Sequence, residues 1–325
     1  MKAYIRKRYG GPEQIQLQTF QKPTPKPDEI LVKVKATSIN PADWRLLRGK
    51  PFLVKLMIGF PKPKSPFFGA DVAGVVESTG DQVSTFSIGD QVVTDVMGTG
   101  AGAFSEYVCV KASHWVKIPE GVSIQQAAAL PVASLTAWQG LKDYGHLKAG
   151  QKVLINGASG GVGHYAVQLA KYLGAEVTAV CSTGKMAMVK KIGADHLVDY
   201  KHESLGDIKE SFDLIFDAVG NISAGTARRL LKPKGKCLMV GWSGFGAMLS
   251  YSLGKIPIHL FSGRRLGAYT AKMKTEDLSE ICQILASGKI RSVIDKEFTF
   301  SELPAAISYQ EKGHCAGKVI VNIND

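Results

Sequence analysis

Lys152-Val-Leu-Ile-Asn-Gly-Ala-Ser-Gly-Gly-Val-Gly163, continued by His-Tyr-Ala-Val-Gln-Leu-Ala-Lys-Tyr-Leu-Gly174, reads as strand, glycine turn and amphipathic helix in unbroken succession. Val153, Leu154 and Ile155 form a short apolar run suited to a parallel strand buried on both faces. Val162, Ala166, Leu169, Ala170 and Leu173 recur at helical spacing behind the glycines. Between them the backbone must turn sharply and stay bare. Gly160 and Gly161 leave main-chain N–H groups open to a phosphate, and Gly163 lets the helix pack closely on the strand. The helix start adds unpaired N–H donors and partial positive charge. Ser159, Gly160, Gly161, Val162 and Gly163 are therefore expected to cradle a dinucleotide pyrophosphate. Many turns carry glycine for steric reasons alone, but the flanking strand and helix are the context a nucleotide site requires.

The alternation continues for about a hundred residues, with strands at 176–181, 196–200, 212–219 and 236–242 and helical patterns between them. This predicts an α/β fold built on a Rossmann-type doubly wound parallel sheet. Selectivity for NADH usually places Asp or Glu at the end of the second strand, where this chain has Cys181-Ser-Thr-Gly-Lys185. Ser182 and Thr183 can donate to a 2′-phosphate and Lys185 can neutralise it, which favours NADPH. The alternative makes Lys185 an ordinary solvated lysine at a helix start. Tyr200, ending the third strand, is placed to stack on adenine or reach the same phosphate, and reads equally well as a packing residue.

A chain of 325 residues, 45% hydrophobic, can bury substantial cores and fits two domains. Its formal charge of +12 attracts anions, a polyanionic cofactor among them. No arginine-rich run or nucleic-acid motif accompanies that charge, so no specific nucleic-acid partner is expected. Five scattered cysteines make neither a Cys-x-x-Cys pair nor a disulfide framework and point to a reducing, cytoplasmic setting. The N-terminal residues enter a strand pattern directly, without a signal-peptide core. The uncharged stretch 237–254, on its glycines and serines, reads as strand and loop rather than a membrane span.

Before residue 120 the pattern changes to short strands at 2–9, 15–20, 30–38, 72–79, 91–96 and 104–110, punctuated by Pro and Gly. This predicts an all-β unit, a small barrel. A helical stretch, 125–141, leads into the cofactor half; later a helix at 276–287 precedes strands at 294–300 and 318–323. Those late strands have no place in a completed six-stranded sheet, so the C-terminus is expected to return to the β unit. The expected division is 1–125, 126–267 and 268–325, with the cofactor domain inserted in the β domain and the active site in the cleft between them.

On Ser38-Ile-Asn-Pro-Ala-Asp43, Phe68-Gly-Ala-Asp-Val-Ala-Gly-Val-Val76, Gly89-Asp-Gln-Val92, Ala128-Ala-Leu-Pro131, Leu135-Thr-Ala-Trp138, the Gly157–Gly163 turn, Ile192-Gly-Ala-Asp-His-Leu-Val-Asp-Tyr200 and Gly313–Val319, the chain resembles a known family. It is the medium-chain dehydrogenase/reductase superfamily, and within it the zinc-free quinone oxidoreductase, ζ-crystallin-like group. The likeness runs nearly end to end. It implies a GroES-like β-barrel domain with a Rossmann domain inserted, NADPH as hydride donor, and a homodimer formed by sheet extension between cofactor domains. Metal-using members carry a Cys, a His-Glu pair and a second Cys or Asp in these segments; here Asn40, Ala70-Asp71 and Ser134 stand in those places. Zinc needs three or four N, S or O ligands at tetrahedral positions, so no metal is expected. The structural-zinc stretch holds Cys109 alone.

Without a Lewis acid, oxidising a simple alcohol is hard, whereas a polarised acceptor can be reduced. The expected activity is hydride transfer from NADPH to a quinone or to the β-carbon of an α,β-unsaturated carbonyl, the protein supplying orientation. The resemblance places Asn40 beside the nicotinamide, bonding the substrate oxygen, with Asp43 orienting it or a water, and Thr136 against the nicotinamide ribose. Ala218, Val219 and Gly241 end strands where main-chain groups can hold ribose and carboxamide. Lys318 reads as a further phosphate ligand or an exposed strand lysine, and His164 as a packing residue more than an acid. The acceptor is expected to be small and apolar, because 49–67 carries Pro51, Phe52, Leu53, Leu56, Met57, Phe60 and Phe67. The alternative is a non-catalytic NADPH-binding protein, crystallin-like or regulatory.

Overall fold

Val153, Leu154 and Ile155 are fully buried, as a strand covered on both faces must be, and their neighbours build a sheet of six parallel strands. The computed structural model describes residues 1–240 and 262–323, and the chain divides into two units. One comprises Met1–Ala133, Met273–Gly288 and Ser292–Asp325; the other comprises Ser134–Lys272 and Lys289–Arg291.

The second unit holds the parallel sheet, in the order His196–Asp199, Glu176–Cys181, Lys152–Asn156, Phe212–Asp217, Leu231–Met239, Arg265–Ala268. The strand order reverses between Lys152–Asn156 and Phe212–Asp217, whose last residues, Asn156 and Asp217, lie side by side. In such sheets a ligand crevice opens beyond the carboxyl ends at this switch point. The helix Gly163–Tyr172 is buried nearly all round, His164, Tyr165, Val167 and Gln168 included, so its covered face is wider than the predicted stripe. Gln168 explains part of this: its side-chain amide exchanges two hydrogen bonds with the main chain of Arg291, at 2.9 and 3.0 Å, which ties 289–291 to this unit.

Two elements escape the sequence pattern. Arg265–Ala268 is four residues long and begins with a cation, too little for a strand signal, yet it pairs in register with Lys236–Met239. The fifth strand begins at Leu231, before Pro233, Lys234 (φ 65°) and Gly235. Its continuous pairing starts at Lys236, where the alternation also becomes readable.

In the first unit the organising element is the eleven-residue strand Glu29–Ile39. One side pairs with Asp71–Thr79 along most of its length; the other pairs first with Tyr107–Lys111 and then with Lys318–Asn322. Register shifts at Leu31/Val32 and Val34/Ala36 curve the strand so that it can serve both partners. The C-terminus therefore does return to the β unit, as Ile294–Thr299 and Lys318–Asn322 form one side of its sheet. The single helix predicted at 125–141 is three pieces: Ile124–Ala128, Pro131–Gln139 and a π turn, Gly140–Tyr144. Pro131 starts a new helix because it has no N–H to continue the old one. Ile124–Ala128 packs on Glu29–Ile39 and Asp71–Thr79, which moves the division from 125/126 to 133/134.

Candidate functional site

In the second unit the glycine turn is tight, and the Gly160 N–H, expected to stay open to a phosphate, donates instead to the Gly157 carbonyl at 3.0 Å. Gly157 takes a left-handed conformation, φ 79°, and the N–H groups of Gly157 and Ala158 both donate to the Val180 carbonyl, binding the turn to the next strand. A Cβ on Gly163 would lie 2.0 Å from the Gly157 carbonyl oxygen, so only glycine lets the helix begin there. A methyl at Gly160 would have its nearest described neighbour, the Gly157 carbonyl oxygen, 3.4 Å away, so the fold itself leaves room for one. His164 is fully buried and its Nδ1 donates to the Gly160 carbonyl at 3.1 Å, so this side chain braces the turn. The turn thus fits a dinucleotide pyrophosphate.

A clamp that sequence reading missed closes the switch point. Asp217, fully buried, accepts from Asn156 Nδ2 (2.7 Å), Val219 N (3.1 Å), Gly220 N (2.9 Å) and Ile222 N (3.1 Å). It holds Ala218 and Val219 against the glycine turn: a Cβ on Gly157 would meet Val219 Cγ2 at 2.6 Å. Ala218, Val219 and the turn are therefore brought together. Thr136 lies in the helix Pro131–Gln139, its carbonyl accepting from the Tyr269 hydroxyl. Gly241 lies outside the described residues.

At the end of Glu176–Cys181 the chain turns through Ser182 into Thr183–Lys185. Thr183 has one hydroxyl proton and donates it to Asp199, which leaves Ser182 and Lys185 as the side-chain donors of this segment. Asp199 is the second residue missed by sequence reading. The Thr183 hydroxyl first, and then the Lys201 N–H, hold its carboxyl below the usual range despite desolvation. Tyr200 follows it, 58% exposed, with its N–H on the Cys181 carbonyl.

The first unit gathers a buried polar cluster from three neighbouring strands and two helix N-termini. Asn40 Nδ2 donates to Asp71 Oδ2 at 2.8 Å, and Lys318 Nζ donates to Asn40 Oδ1 at 2.6 Å and to Asp71 Oδ2 at 3.2 Å. Ser38 Oγ also donates to Asp71 Oδ2, and Val132 N donates to Oδ1 at 2.9 Å. Asn40 and Lys318 are each 2% exposed and Asp71 is fully buried. The alternative of Lys318 on an exposed strand face is corrected by this placement: its ammonium is enclosed by Asn40 and Asp71. The strand pattern could not reveal that, because Lys318 and Asn40 are 278 residues apart in the chain.

Asp43 belongs to the same region and sits on the first turn of Pro41–Arg48, where its Oδ2 accepts the Asn40 main-chain N–H at 2.7 Å. Burial, reinforced by the Asp71 charge, raises its carboxyl to about 7 despite that hydrogen bond and Lys318. Asp95 is likewise raised to about 7 by burial and by Asp71. Lys318 and the buried Arg6 are cations in electrostatic reach of Asp43. A carboxyl raised on folding contributes stability that is full below its unfolded pKa near 4 and is lost as pH rises through about 7. Wild-type unfolding free energy should fall between about pH 5 and 8, with Asp43 contributing on the order of 2 kcal/mol. Asp43→Asn, which keeps the carbonyl acceptor for Asn40 N, should flatten that dependence in denaturant titrations; an unchanged slope would contradict this assignment.

Elsewhere in the first unit, 49–67 exposes Phe52, Leu56 and Phe60 to 59, 61 and 63%, with the Phe52 and Phe60 rings edge to face at 6.1 Å. Among the described residues no group of three or more His, Cys, Asp or Glu side chains is arranged to hold a metal, and no helix is long and apolar enough to cross a membrane.

Comparison with known proteins agrees with this architecture. The family description "Alcohol dehydrogenase GroES-like domain" matches residues 26–120, and "Zinc-binding dehydrogenase" matches 192–321. The chain is 36% identical over 310 residues to the chloroplast envelope quinone oxidoreductase homolog of Arabidopsis thaliana, covering 92% of this chain and 91% of that one. It is 32% identical over 332 residues to an NADPH-dependent alkenal/one oxidoreductase, chloroplastic, of the same plant, covering 99% and 79%. These names also show that cysteine usage alone does not assign the cytoplasm. Among solved structures, the quinone oxidoreductase of Coxiella burnetii superposes with a TM-score of 0.88 at 30% identity, covering 100% of this chain and 99% of the other. The GroES-like sheet, the six-stranded parallel sheet with its glycine turn, and end-to-end likeness at this level have one reading: the chain belongs to the quinone oxidoreductase group of the medium-chain dehydrogenase/reductase superfamily.

Proposed function

We propose that this oxidoreductase takes NADPH and reduces quinones or α,β-unsaturated carbonyls. The observation that carries the reading is Asn40, a neutral amide gripped by Asp71 and Lys318 at a position where metal-using relatives carry a ligand. When bound, the reduced nicotinamide supplies the hydride. The task left to the protein is to stabilise negative charge on the acceptor oxygen, for which Asn40 Nδ2–H is the donor. Such a bond suffices for a conjugated acceptor, whose charge is delocalised, and not for activating a simple alcohol. The apolar side chains Phe52, Leu56 and Phe60 suit an apolar acceptor. A homodimer would extend the parallel sheet through an edge strand, His196–Asp199 or Arg265–Ala268, and sedimentation tests it.

The discriminating experiment follows NADPH consumption against a panel of enones, quinones and simple alcohols. Turnover of the conjugated acceptors alone supports the reading. No turnover with any acceptor, despite tight NADPH binding, would leave the non-catalytic alternative.

Ser182 and Lys185 support NADPH, whereas the ionised Asp199 nearby pulls toward the uncharged ribose of NADH. Lys185→Ala decides between them. A charge-assisted hydrogen bond to a 2′-phosphate is worth about 1.5 kcal/mol at a partly exposed site, so NADPH should weaken about tenfold. NADH affinity should not change. Equal affinities for the two cofactors in the unmutated protein, read by fluorescence titration, would overturn the phosphate role.

A further inference from the structure

We propose that Lys318 is a positioning residue for the reduction, holding the Asn40 amide in a single orientation and polarising its free N–H toward the acceptor oxygen. This rests on Asn40 as the donor to that oxygen and adds the group that makes it an effective one. A side-chain amide can exchange its oxygen and nitrogen by a half-turn about its last bond. Here that turn would set Nδ2 against the Lys318 ammonium and Oδ1 against the Asp71 carboxylate, replacing two attractive contacts by two repulsive ones. The observed orientation is therefore the only one the cluster accepts.

The same contacts bias the amide electronically. Nδ2 carries two hydrogens, of which Asp71 accepts one, so the second remains for another acceptor. An amide whose oxygen bonds a cation withdraws electron density from its nitrogen, and in a buried, low-dielectric setting this strengthens the remaining N–H as a donor. Asp71 keeps the cation in place: it is bonded by Ser38, Asn40, Val132 and Lys318 at once. The sheet supplies the alignment, because Lys318–Asn322, Glu29–Ile39 and Asp71–Thr79 are consecutive strands, with Val319 beside Ile39 and Ser38 beside Asp71.

The test is a double-mutant cycle of Lys318→Met and Asn40→Ala, read as kcat with an enone or quinone and as NADPH affinity by titration. Lys318→Met should lower kcat about tenfold, the worth of one good hydrogen bond, while NADPH affinity stays within about twofold. Added to Asn40→Ala, the same replacement should lower kcat little further, because its effect runs through the missing amide. Lys318→Met alone leaves Asp71 charged and buried, which endangers the fold, so the paired variant Lys318→Met/Asp71→Asn repeats the measurement with both charges removed and should show the same loss. Slow Asn40→Ala combined with wild-type kcat in the paired variant, or full additivity in the cycle, overturns this inference and leaves the role of Asn40 standing. Wild-type kcat in Asn40→Ala overturns both. Weakened NADPH with unchanged kcat in the Lys318 variants would return this lysine to a phosphate role and overturn it as well.

Discussion

Replacing Gly163 with alanine is expected to remove NADPH binding and much of the stability of the parallel-sheet unit in one step. The added methyl would lie 2.0 Å from the Gly157 carbonyl oxygen and 2.8 Å from the Ala158 Cα, both main-chain atoms that no rotamer change can move aside. Overpacking against side chains costs typically about 1–3 kcal/mol, and a clash with backbone belongs at or above the top of that range. Gly160→Ala separates the ligand from the fold. Its methyl finds no described protein atom closer than 3.4 Å, so the melting temperature should stay near wild type while NADPH affinity falls at least about tenfold, a phosphate contact being worth about 1.4 kcal/mol or more. Wild-type NADPH affinity in Gly160→Ala would mean that the turn does not cradle the pyrophosphate.

The second large effect is on chemistry. Asn40→Ala should lower kcat about a hundredfold, the usual consequence of deleting one donor to a developing oxyanion, with NADPH affinity within a few-fold of wild type. The asymmetry is the diagnostic: a bond that strengthens as charge develops is lost from kcat, whereas a ground-state contact is lost from binding. The variant also deprives Asp71 of a donor and Lys318 of an acceptor, so melting temperature is measured beside the kinetics. A hundredfold loss in a protein that melts normally assigns the effect to the reaction. Wild-type turnover would remove Asn40 from the mechanism.

What the sequence displays of this architecture follows from the range of each interaction. The glycine turn and its flanking strand and helix are legible because their determinants lie within some twenty consecutive residues. The return of the C-terminus is readable because a six-stranded Rossmann-type sheet is already complete without Lys318–Asn322. The Asn156–Asp217 clamp, the Thr183–Asp199 pair and the Lys318–Asn40 contact are not readable. Each joins residues that are adjacent only after the sheets form, and none has a composition signal: one more Asp at a strand end, one more Lys in an apolar strand. Lys318 is the sharpest case. A lone cation in an otherwise apolar strand reads as solvent-facing, and only the buried carboxylate from a distant strand reverses that.

The strand Glu29–Ile39 has a consequence for synthesis. In synthesis it is followed by Asp71–Thr79 and Tyr107–Lys111 within the next hundred residues, but the edge of Ala36–Ile39 must await Lys318–Asn322, made after all of the parallel-sheet unit. The parallel-sheet unit, continuous from Ser134 to Lys272, is by then complete. During that interval the half-strand Ala36–Ile39, ending beside Asn40, has an open hydrogen-bonding edge, a template for any passing strand. Nascent chains stalled before Lys318 should accordingly be captured by holdase chaperones through Ala36–Ile39, and released once Lys318–Asn322 is translated.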